Sequence, residues 1–376
     1  MEPRLDSTLA ASFLSQSLLI LLLFLFLLLL ILLPQAQAPP TSPRSTGSPP
    51  RPPSSPAPPP TTSASLSASP PQPSNGSPSP RPLLDCRDPS SPLPRLPPPT
   101  RLALALSRLS SGCPYSDLAH RFRVPESTAR FSARRLYRVL CTNFRFWLAF
   151  PSLPDLNLVC SGFQSLPLGL PDCCGSIISA RFLVHSGASV AAQIVTDSSS
   201  RILSIAAGFN GEKSDYQVLQ CSSLYKDVVA GRLLSSTQYF VGDGNYPLLP
   251  WLMVPYKDPI RGTCEEDFNV AHGLMFQPAL RTVASLRNWG ALGCLGEEED
   301  LKMAVACIGT CAILHNVLLM REDYTAPSDE SRGFSEVPEQ QGEDLSCDSE
   351  KKALVLRSML SIKARMLCSS SNLVCK

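Results

Sequence analysis

The sequence lacks an excess of charge of either sign: 33 lysines and arginines stand against 31 aspartates and glutamates, a formal net charge of +2 over 376 residues. A protein that attracts nucleic acid through its overall field carries a large positive excess. The balance excludes a chain-wide electrostatic footprint for DNA or RNA, so any phosphate contact has to come from a local basic face.

A repeated spacing is missing from the 14 cysteines. Several lie in apolar surroundings, where cysteine behaves as a small buried hydrophobe, and this usage favours the cytosolic side of a membrane. Cys307, Cys311 and His315 follow i, i+4, i+8 on one helix face, a spacing that also suits a metal site. No fourth ligand accompanies them in the sequence, and core packing is the favoured interpretation.

Aromatic side chains are almost absent from the stretch that holds most of the 38 prolines, between Pro34 and Pro99. Its proline, serine and threonine residues cannot bury enough apolar surface to offset the entropy lost on ordering. We predict a disordered linker over residues 39–100. A mostly disordered C-terminal tail is predicted over residues 325–376, because its first half is acidic and rich in serine and glycine.

Residues 18–33, by contrast, form an unbroken run of leucine, isoleucine and phenylalanine, and the uncharged segment begins at residue 9. As helices, these 16 and 25 residues span roughly 24 Å and roughly 37 Å, on either side of the roughly 30 Å hydrocarbon core. We therefore predict a hydrophobic N-terminal helix, a membrane anchor or signal-like segment, over residues 1–38, with residues 9–33 in the membrane.

The flanks of that helix indicate its orientation. Arg44 and Arg51 follow it without a nearby acid, so the positive-inside rule favours a C-terminal side that faces the cytosol or nucleoplasm. Ala36-Gln37-Ala38 also fits a signal-peptidase site, and cleavage stays an alternative. An uncleaved segment predicts attachment to the endoplasmic reticulum or the nuclear envelope.

A helical, helix-turn-helix-like segment is predicted over residues 101–150. Apolar residues at helical spacing predict one helix over residues 115–122, and Pro125 ends it. Ser127 is then expected to cap a second helix over residues 128–140.

The second of these helices carries a basic face. Arg130, Arg134 and Arg138 follow i, i+4, i+8, so three guanidinium groups share one face with reach to phosphates. A pair of helices joined by a turn is a layout that reads DNA. We predict these three arginines as a nucleic-acid-binding face, and a solvated face on a small helical bundle is the equally favoured alternative.

Asp243 is the most informative acidic residue of the chain. Strand-forming residues at 239–241 lead into it, and glycines flank it in the run Val-Gly-Asp-Gly-Asn-Tyr-Pro-Leu-Leu-Pro-Trp. A carboxylate at the end of a strand, beside small residues, suits a Mg²⁺ or Mn²⁺ site of a nuclease. The alternative is a turn carboxylate that accepts hydrogen bonds from the amides of Gly244 and Asn245.

The hydrophobic pattern of residues 151–324 predicts one α/β domain. Three β-prone runs separated by turns suit a meander, which a crossover helix, a further strand and three helices follow. This is the order of an RNase H-like mixed sheet with flanking helices. The predicted strands cover residues 175–184, 189–196, 202–207 and 238–241, and the predicted helices cover residues 216–229, 266–274, 279–289 and 298–321.

Five sequence blocks strengthen this prediction. They are Leu-Pro-Asp-Cys-Cys-Gly-Ser-Ile-Ile at 170–178, two strands and a turn at 193–215, the run at 241–251, a helix at 268–289 that begins Phe-Asn-Val-Ala-His, and Leu-His-Asn at 314–316. In content and order they resemble the blocks of the Harbinger-type transposase-derived nuclease family, in particular plant-like domesticated members with a DDE superfamily endonuclease domain. The resemblance implies an RNase H-like fold with an Asp-Asp-Glu triad that holds divalent metal ions.

The same block match implies where the three acids belong. The first falls at Ile178, the second at Asp243 and the third near Leu280. Cleavage with two metal ions needs several carboxylates around ions about 3.5–4 Å apart, so apolar side chains at two of the positions leave the triad broken. Asp243 remains as the predicted metal ligand. Five other acids are interpreted as solvated surface residues: Asp172, Asp215, Glu265, Glu266 and Asp267.

Two function classes follow from the resemblance. The favoured one is a domesticated nuclease-like protein without catalysis, which acts in the nucleus as a chromatin-associated factor that binds DNA or protein. The alternative is an active endonuclease that hydrolyses DNA phosphodiesters with Mg²⁺ or Mn²⁺. DNA or chromatin proteins are the expected partners, a small-molecule substrate is not expected, and the predicted anchor makes the endoplasmic reticulum or nuclear envelope the competing location.

Overall fold

The computed structural model describes residues 96–142, 144–184, 188–298, 300–320 and 347–370. The predicted membrane segment lies outside the described residues, and so does the predicted linker as far as residue 95. Residues 325–346 and 371–376 of the predicted tail also lie outside them.

Eleven helices, five strands and one 3-10 turn make up the described ranges. The helices are α1 (Pro98–Ser111), α2 (Tyr115–Phe122), α3 (Glu126–Thr142), α4 (Phe144–Trp147), α5 (Leu153–Gln164), α6 (Asp215–Cys221), α7 (Ser223–Val229), α8 (Cys264–Arg287), α9 (Gly290–Gly293), α10 (Leu301–Leu319) and α11 (Cys347–Ser370). The strands are β1 (Cys173–Leu183), β2 (Ser189–Thr196), β3 (Ile202–Asn210), β4 (Tyr239–Gly242) and β5 (Leu252–Met253), and the 3-10 turn covers Leu295–Glu297.

The five strands form one mixed sheet in the order β3-β2-β1-β4-β5. β1 pairs antiparallel with β2 and parallel with β4, and β2 pairs antiparallel with β3. β2 is buried from Val190 through Thr196, and burying each valine or isoleucine side chain contributes about 1.5–3 kcal/mol. Helices α5 and α8 pack on β1, and α10 packs on β3. The predicted α/β architecture, an RNase H-like mixed sheet with flanking helices, is confirmed.

The strand boundaries differ little from the predicted ones. β2 covers the predicted residues, whereas β3 continues past residue 207 to Asn210 because β2 supplies pairing partners as far as Val190. β4 ends at Gly242, so Asp243 follows a strand end as the sequence predicts. β5, with two residues, is too short to leave a periodic pattern and is missing from the predicted strands.

One continuous helix replaces two predicted ones. The predicted helices cover residues 266–274 and 279–289, on either side of Pro278, but α8 continues through this proline. An interior proline removes one amide donor and crowds the preceding turn, at a cost of about 3 kcal/mol. The helix packs along the sheet on both sides of Pro278, and the hydroxyl of Ser176 donates to the carbonyl of Met275 at 2.7 Å. Tertiary packing therefore outweighs the local preference.

The predicted helix over residues 216–229 is instead two short helices that meet at Ser222. The Ser222 hydroxyl accepts a hydrogen bond from the amide of Tyr225 at 3.1 Å, which caps α7. Ser214 and Gln217 form a reciprocal capping box at the start of α6. Serine at such a position stabilises a helix start by about 1 kcal/mol, and so it divides an otherwise continuous helical pattern.

The helical segment before the sheet differs from its prediction at two places. α2 covers the predicted residues, but α3 begins at Glu126, so Ser127 lies in the first turn and is not the cap. α1 begins at Pro98, inside the predicted linker. Proline fits the first turn of a helix because its missing amide would have no partner there, and the buried Leu104 and Leu106 anchor this helix in the core.

α10 begins at Leu301 rather than residue 298, because Asp300 caps it by accepting from the amide of Lys302 at 2.9 Å. Among the described residues it is the one helix long and apolar enough to cross a membrane. Within its most apolar stretch, however, 67% of the residues are buried inside the protein. Its contacts with β3 and α3 are those of a core helix.

α11 corrects the expectation of a mostly disordered C-terminal tail for residues 347–370. This stretch is a 24-residue helix that packs against α8. Ala353, Leu360 and Ala364 are 0–3% exposed in that contact. Their spacing of seven and four residues places them on one helix face.

Candidate functional site

The structure brings together the positions that the resemblance assigns to the first two acids. β1 and β4 are parallel neighbours, and Ile177 lies opposite Gly242 in the register. Ile178, in the middle of β1, and Asp243, just after the end of β4, are therefore each one residue beyond this pair. Ile178 is 6% exposed, and its side chain offers no oxygen to a metal ion.

Asp243 lies in the turn after β4 and is held by Asn245. Its Oδ1 accepts the amide of Asn245 at 3.0 Å, and its Oδ2 accepts the side-chain Nδ2 of the same residue at 3.3 Å. Burial, and secondly the charge of Asp215, raises the pKa of Asp243 from 3.8 to about 6, while Asn245 and Arg181 act in the opposite direction. The prediction of a turn carboxylate bonded to local amides is confirmed at Asn245.

Asp215 is not a solvated surface acid, so that interpretation is wrong. It is 6% exposed, and its Oδ1 lies 2.7 Å from Nη2 of Arg181. Its Oδ2 accepts the side-chain Nδ2 of Asn245 at 3.3 Å, so one amide nitrogen joins Asp215 to Asp243. The capping box that starts α6 is the sequence signal that fixes Asp215 here, because it sets the helix N-terminus at this residue.

Arg181 supplies the positive charge of this group. Its Nε donates to the carbonyl of Gly211 at 3.0 Å, and its Nη2 donates to the carbonyl of Lys213 at 2.8 Å. The guanidinium thus ties β1 to the turn after β3 while it neutralises Asp215. Sequence reasoning named only the backbone amide of Asn245, not its side chain, and it missed Arg181, which stands in no acidic motif. We refer to Asp215, Asp243, Arg181 and Asn245 as the carboxylate edge.

Alternation along β1 separates Arg181 from the position of the first acid. Successive strand residues alternate between faces, so Arg181 and Ile178 point to opposite sides of β1. The side of Ile178 is the side of α8, because the Ser176 hydroxyl reaches the Met275 carbonyl there.

The position of the third acid is apolar and packed. Leu280 lies on α8 and is partly buried against the core. The acids in the first turn of α8 precede it by 13 residues or more, which corresponds to about 20 Å of helical rise. Asp267 there pairs with Arg365 at 2.9 Å, and Glu266 accepts the amide of Gly262 at 2.6 Å.

The acids that the sequence analysis interpreted as solvated surface residues differ in how exposed they are. Asp172 is exposed, as predicted. Glu265, Glu266 and Asp267 are partly buried, and two of them bind local or tertiary partners.

Other family-like blocks hold the backbone in place. On α8, Asn269 accepts the amide of Tyr256 at 2.8 Å and donates to its carbonyl at 2.9 Å. His272 is 4% exposed and contacts the carbonyl of Met253 at 3.3 Å. Burial lowers the pKa of His272 to about 4, so the ring is neutral at pH 7. Asn269 and His272 form what we call the loop clamp on β5 and the segment after it.

The Leu-His-Asn block at the end of α10 forms a second set of contacts. Asn316 accepts the amide of Ile202 and donates to its carbonyl, both at 2.8 Å. The ring nitrogens of His315 contact the carbonyl of Ser200 at 2.8 Å and the hydroxyl of Ser285 at 3.0 Å. Because both nitrogens are engaged, His315 has none left for a metal, and core packing of the cysteine–histidine stripe is supported. We call His315 and Asn316 the strand clamp.

The predicted basic face on α3 is largely occupied by contacts within the protein. Arg130 pairs with Glu126 at 2.8 Å and lies over the ring of Tyr115 at 4.9 Å. Arg134 pairs at 3.1 Å with Glu298, whose side chain is 1% exposed and also accepts the Tyr115 hydroxyl. Arg138 is exposed. DNA binding by these arginines stays a prediction, and Arg138 is the residue of the three best placed for it.

The donor set at the carboxylate edge does not fit a pair of divalent ions. DDE endonuclease domains use divalent metals, and such ions need several converging carboxylates. Two carboxylates are present, and the Arg181 guanidinium already lies 2.7 Å from one of them. In the described part of the chain, no three His, Cys, Asp or Glu side chains group so as to hold a metal ion.

Comparisons with known proteins agree with the sequence blocks. Residues 182–316 match the family described as DDE superfamily endonuclease. Protein ALP1-like of Arabidopsis thaliana is 29% identical over 252 residues, which is 60% of this chain and 61% of that protein. The Arabidopsis thaliana protein named antagonist of like heterochromatin protein 1 is 25% identical over 250 residues, 60% of this chain and 63% of that protein.

The chain thus spans about three fifths of the length of these curated relatives. No solved structure matches it. The matched family range includes β4, both clamps and every member of the carboxylate edge except Arg181, and it begins four residues after Ile178. The resemblance drawn from the sequence blocks is confirmed over residues 182–316, which are similar to the DDE superfamily endonuclease family.

Proposed function

We propose that this protein is a domesticated nuclease-like factor that lacks catalysis and binds DNA or protein at chromatin. One observation carries the proposal: level with Asp243, on the neighbouring strand β1, the buried apolar Ile178 stands in place of a carboxylate. Leu280 on α8 repeats this substitution at the third position. A site that cannot collect ligands for two ions cannot neutralise the charge that develops during phosphodiester cleavage.

The ion pair between Arg181 and Asp215 supports the same conclusion from electrostatics. A guanidinium 2.7 Å from a carboxylate satisfies the charge that a divalent ion would otherwise balance. It also repels a second cation at the same place. Arg181 therefore keeps the carboxylate edge stable as a structural element of the fold.

The chromatin part of the proposal rests on a relative. One of the similar proteins is named as an antagonist of like heterochromatin protein 1, and we carry from it a nuclear, chromatin-associated role for this chain. DNA or chromatin proteins are the proposed partners. Membrane attachment through residues 9–33 is the competing proposal for location.

Fractionation of cells that express the tagged full-length chain tests this role. The expected result is release of the protein from the nuclear pellet by DNase treatment or by moderate salt, which disrupts contacts with phosphates. Recovery in a membrane fraction that only detergent dissolves would favour the anchored protein instead. A tagged histone and a resident membrane protein of the endoplasmic reticulum serve as the two references.

A second candidate is an endonuclease or metal-binding protein that uses Asp243 with Asp215. The observation in its favour is the Nδ2 of Asn245, which lies 3.3 Å from a carboxylate oxygen of each residue. Mg²⁺ is often held by one or two carboxylates together with water and phosphate oxygens. Titration of the full chain with Mn²⁺, followed by electron paramagnetic resonance, separates the candidates: binding that Asp243→Asn and Asp215→Asn both abolish would favour the second.

A further inference from the structure

α11 is apolar on two opposite faces. Its inner face, with Ala353, Leu360 and Ala364, is buried against α8. Its outer face leaves four large apolar side chains between 51% and 65% exposed. We call them the outer stripe: Val355, Met359, Ile362 and Met366.

The orientation of α11 is fixed by polar contacts on its inner side. The guanidinium of Arg357 lies 3.9 Å from the ring centre of Tyr256. The Tyr256 hydroxyl contacts the hydroxyl of Ser361 at 3.0 Å, and Arg365 pairs with Asp267 at 2.9 Å. A rotation that buried the outer stripe would break all of these contacts, so the stripe stays outward in the folded protein.

The spacing of the outer stripe is that of a helix–helix seam. Its members follow one another by four, three and four residues, which is the repeat that packs one helix against another. Over 11 residues the stripe rises about 16 Å, or roughly three turns. A helix that is apolar on opposite faces is normally covered on both of them.

Charge distinguishes the kind of helix that fits. Lys351, Lys352 and Lys363 are exposed, and at 100° per residue they lie beside the stripe on the outer face. In paired helices the charged residues beside the seam select the partner. A second copy of α11 would bring the same basic flanks, whereas acidic flanks complement them.

We propose that the outer stripe is a docking surface for an amphipathic helix of a partner protein, whose own apolar seam is flanked by aspartate and glutamate. The apolar seam contributes most of the affinity because it removes four large side chains from water. The lysines set the specificity and accelerate association. This surface lies on α11, outside the carboxylate edge, and it does not depend on whether the domain cleaves DNA.

Fluorescence anisotropy with the full-length chain tests the proposal. The probe is a labelled 21-residue helical peptide with leucine at seam positions and glutamate beside them, and the comparison peptide has lysine in place of each glutamate. The glutamate peptide is expected to bind and the lysine peptide to bind at least about tenfold more weakly. Met359→Glu combined with Ile362→Glu is expected to weaken the glutamate peptide by at least about tenfold.

The matched control is Leu158→Glu, which changes a 73% exposed leucine on α5 in the same chemical way. It is expected to leave peptide binding unchanged. Because Met359 and Ile362 are exposed, the stripe variant should keep the circular dichroism spectrum and urea midpoint of the parent chain.

Four results would overturn the proposal. The first is equal binding of the two peptides. The second is undiminished binding by the Met359→Glu, Ile362→Glu variant. The third is a concentration-dependent dimer of the parent chain, seen by sedimentation and abolished by the same variant, which would make a second copy the occupant. If deletion of residues 324–343 is needed before any peptide binds, the acidic segment of the chain itself covers the stripe and the proposal also fails.

Discussion

The two clamps and the carboxylate edge both lie in the family-like blocks, but the clamps keep structural contacts whereas the described residues around the carboxylate edge lack a full set of metal ligands. In the loop clamp and the strand clamp, each asparagine and histidine makes buried or partly buried contacts with backbone groups of a strand or loop. At the carboxylate edge, Ile178 stands where an acid is expected and a guanidinium lies against Asp215. The comparison teaches that the residues that build this fold are separable from those that perform metal chemistry on it.

The strand clamp should show the largest effect if that difference is real. Asn316→Ala removes both hydrogen bonds to Ile202, at the start of β3. Two buried backbone groups then lose their partners, at about 1–3 kcal/mol each, so we expect a loss of roughly 2–6 kcal/mol. Urea unfolding measures it, with the exposed Asn157→Ala as control. A loss of less than about 1 kcal/mol would remove the structural role of this block.

Asp243 should give the next largest effect, and the effect should depend on pH. Burial and the neighbouring Asp215 raise its pKa to about 6, above the ordinary 3.8, so the folded state binds more protons than the unfolded state between these values. Stability contributed by this group therefore falls as pH rises from about 4 to about 6. We expect Asp243→Asn to be more stable than the parent chain at pH 7.5, by up to roughly 3 kcal/mol, and the gain to vanish below about pH 4.

Urea unfolding at a series of pH values measures this difference. Asp172→Asn is the control, because Asp172 is exposed and adopts a positive φ of 64° that asparagine tolerates. A loss of stability in Asp243→Asn at pH 7.5 would show that the carboxylate is stabilising as an ion, as a metal ligand or an ion-pair partner is.

Arg181 tests the carboxylate edge as a structural element. Arg181→Met leaves Asp215 buried without its cation, and we expect a loss of about 1–3 kcal/mol. This is below the 3–5 kcal/mol typical of fully buried pairs, because the Arg181 side chain is 38% exposed and water screens the pair. The double variant Arg181→Met, Asp215→Asn should recover most of the loss. Arg232→Met, in an exposed pair with Asp227, is the control.

Two arginines on α3 should differ in their effect on stability, and Arg138 should have the smallest effect of all. Arg134→Ala should cost about 1–3 kcal/mol of stability, because it leaves the buried carboxylate of Glu298 without its ion pair. Arg138→Ala should change stability by less than about 0.5 kcal/mol. If this face binds duplex DNA, Arg138→Ala should reduce the slope of the logarithm of the binding constant against the logarithm of the salt concentration by about one. Unchanged binding in Arg138→Ala would leave α3 as a packing helix.

Much of the fold was accessible from the sequence because its signals are local. β2 and α2 appear over the predicted residues, since strand and helix periodicity set them directly. The continuous α8 was not accessible, because its survival through Pro278 depends on packing against the sheet. The helix α11 was hidden for a similar reason: α8 supplies the surface that orders it.

The site was predictable in part. Asp243 and Ile178 fall where the block match places them, because strand ends and glycine turns are local features. Asp215 and Arg181 lie 34 residues apart in sequence. They meet because β1, β2 and β3 pair as a meander, which brings the turn after β3 next to β1. Such a contact depends on the strand topology and leaves no local sequence pattern. The sequence analysis therefore interpreted Asp215 as a surface residue.

The measurement that tests the central claim most directly is Mg²⁺- and Mn²⁺-dependent cleavage of supercoiled and linear DNA by the full-length chain, beside Asp243→Ala. We predict no cleavage above that of the variant with either metal. Cleavage by the parent chain that disappears in Asp243→Ala would contradict the account, because Asp243 would then have to collect its metal ligands despite Ile178, Leu280 and the guanidinium of Arg181.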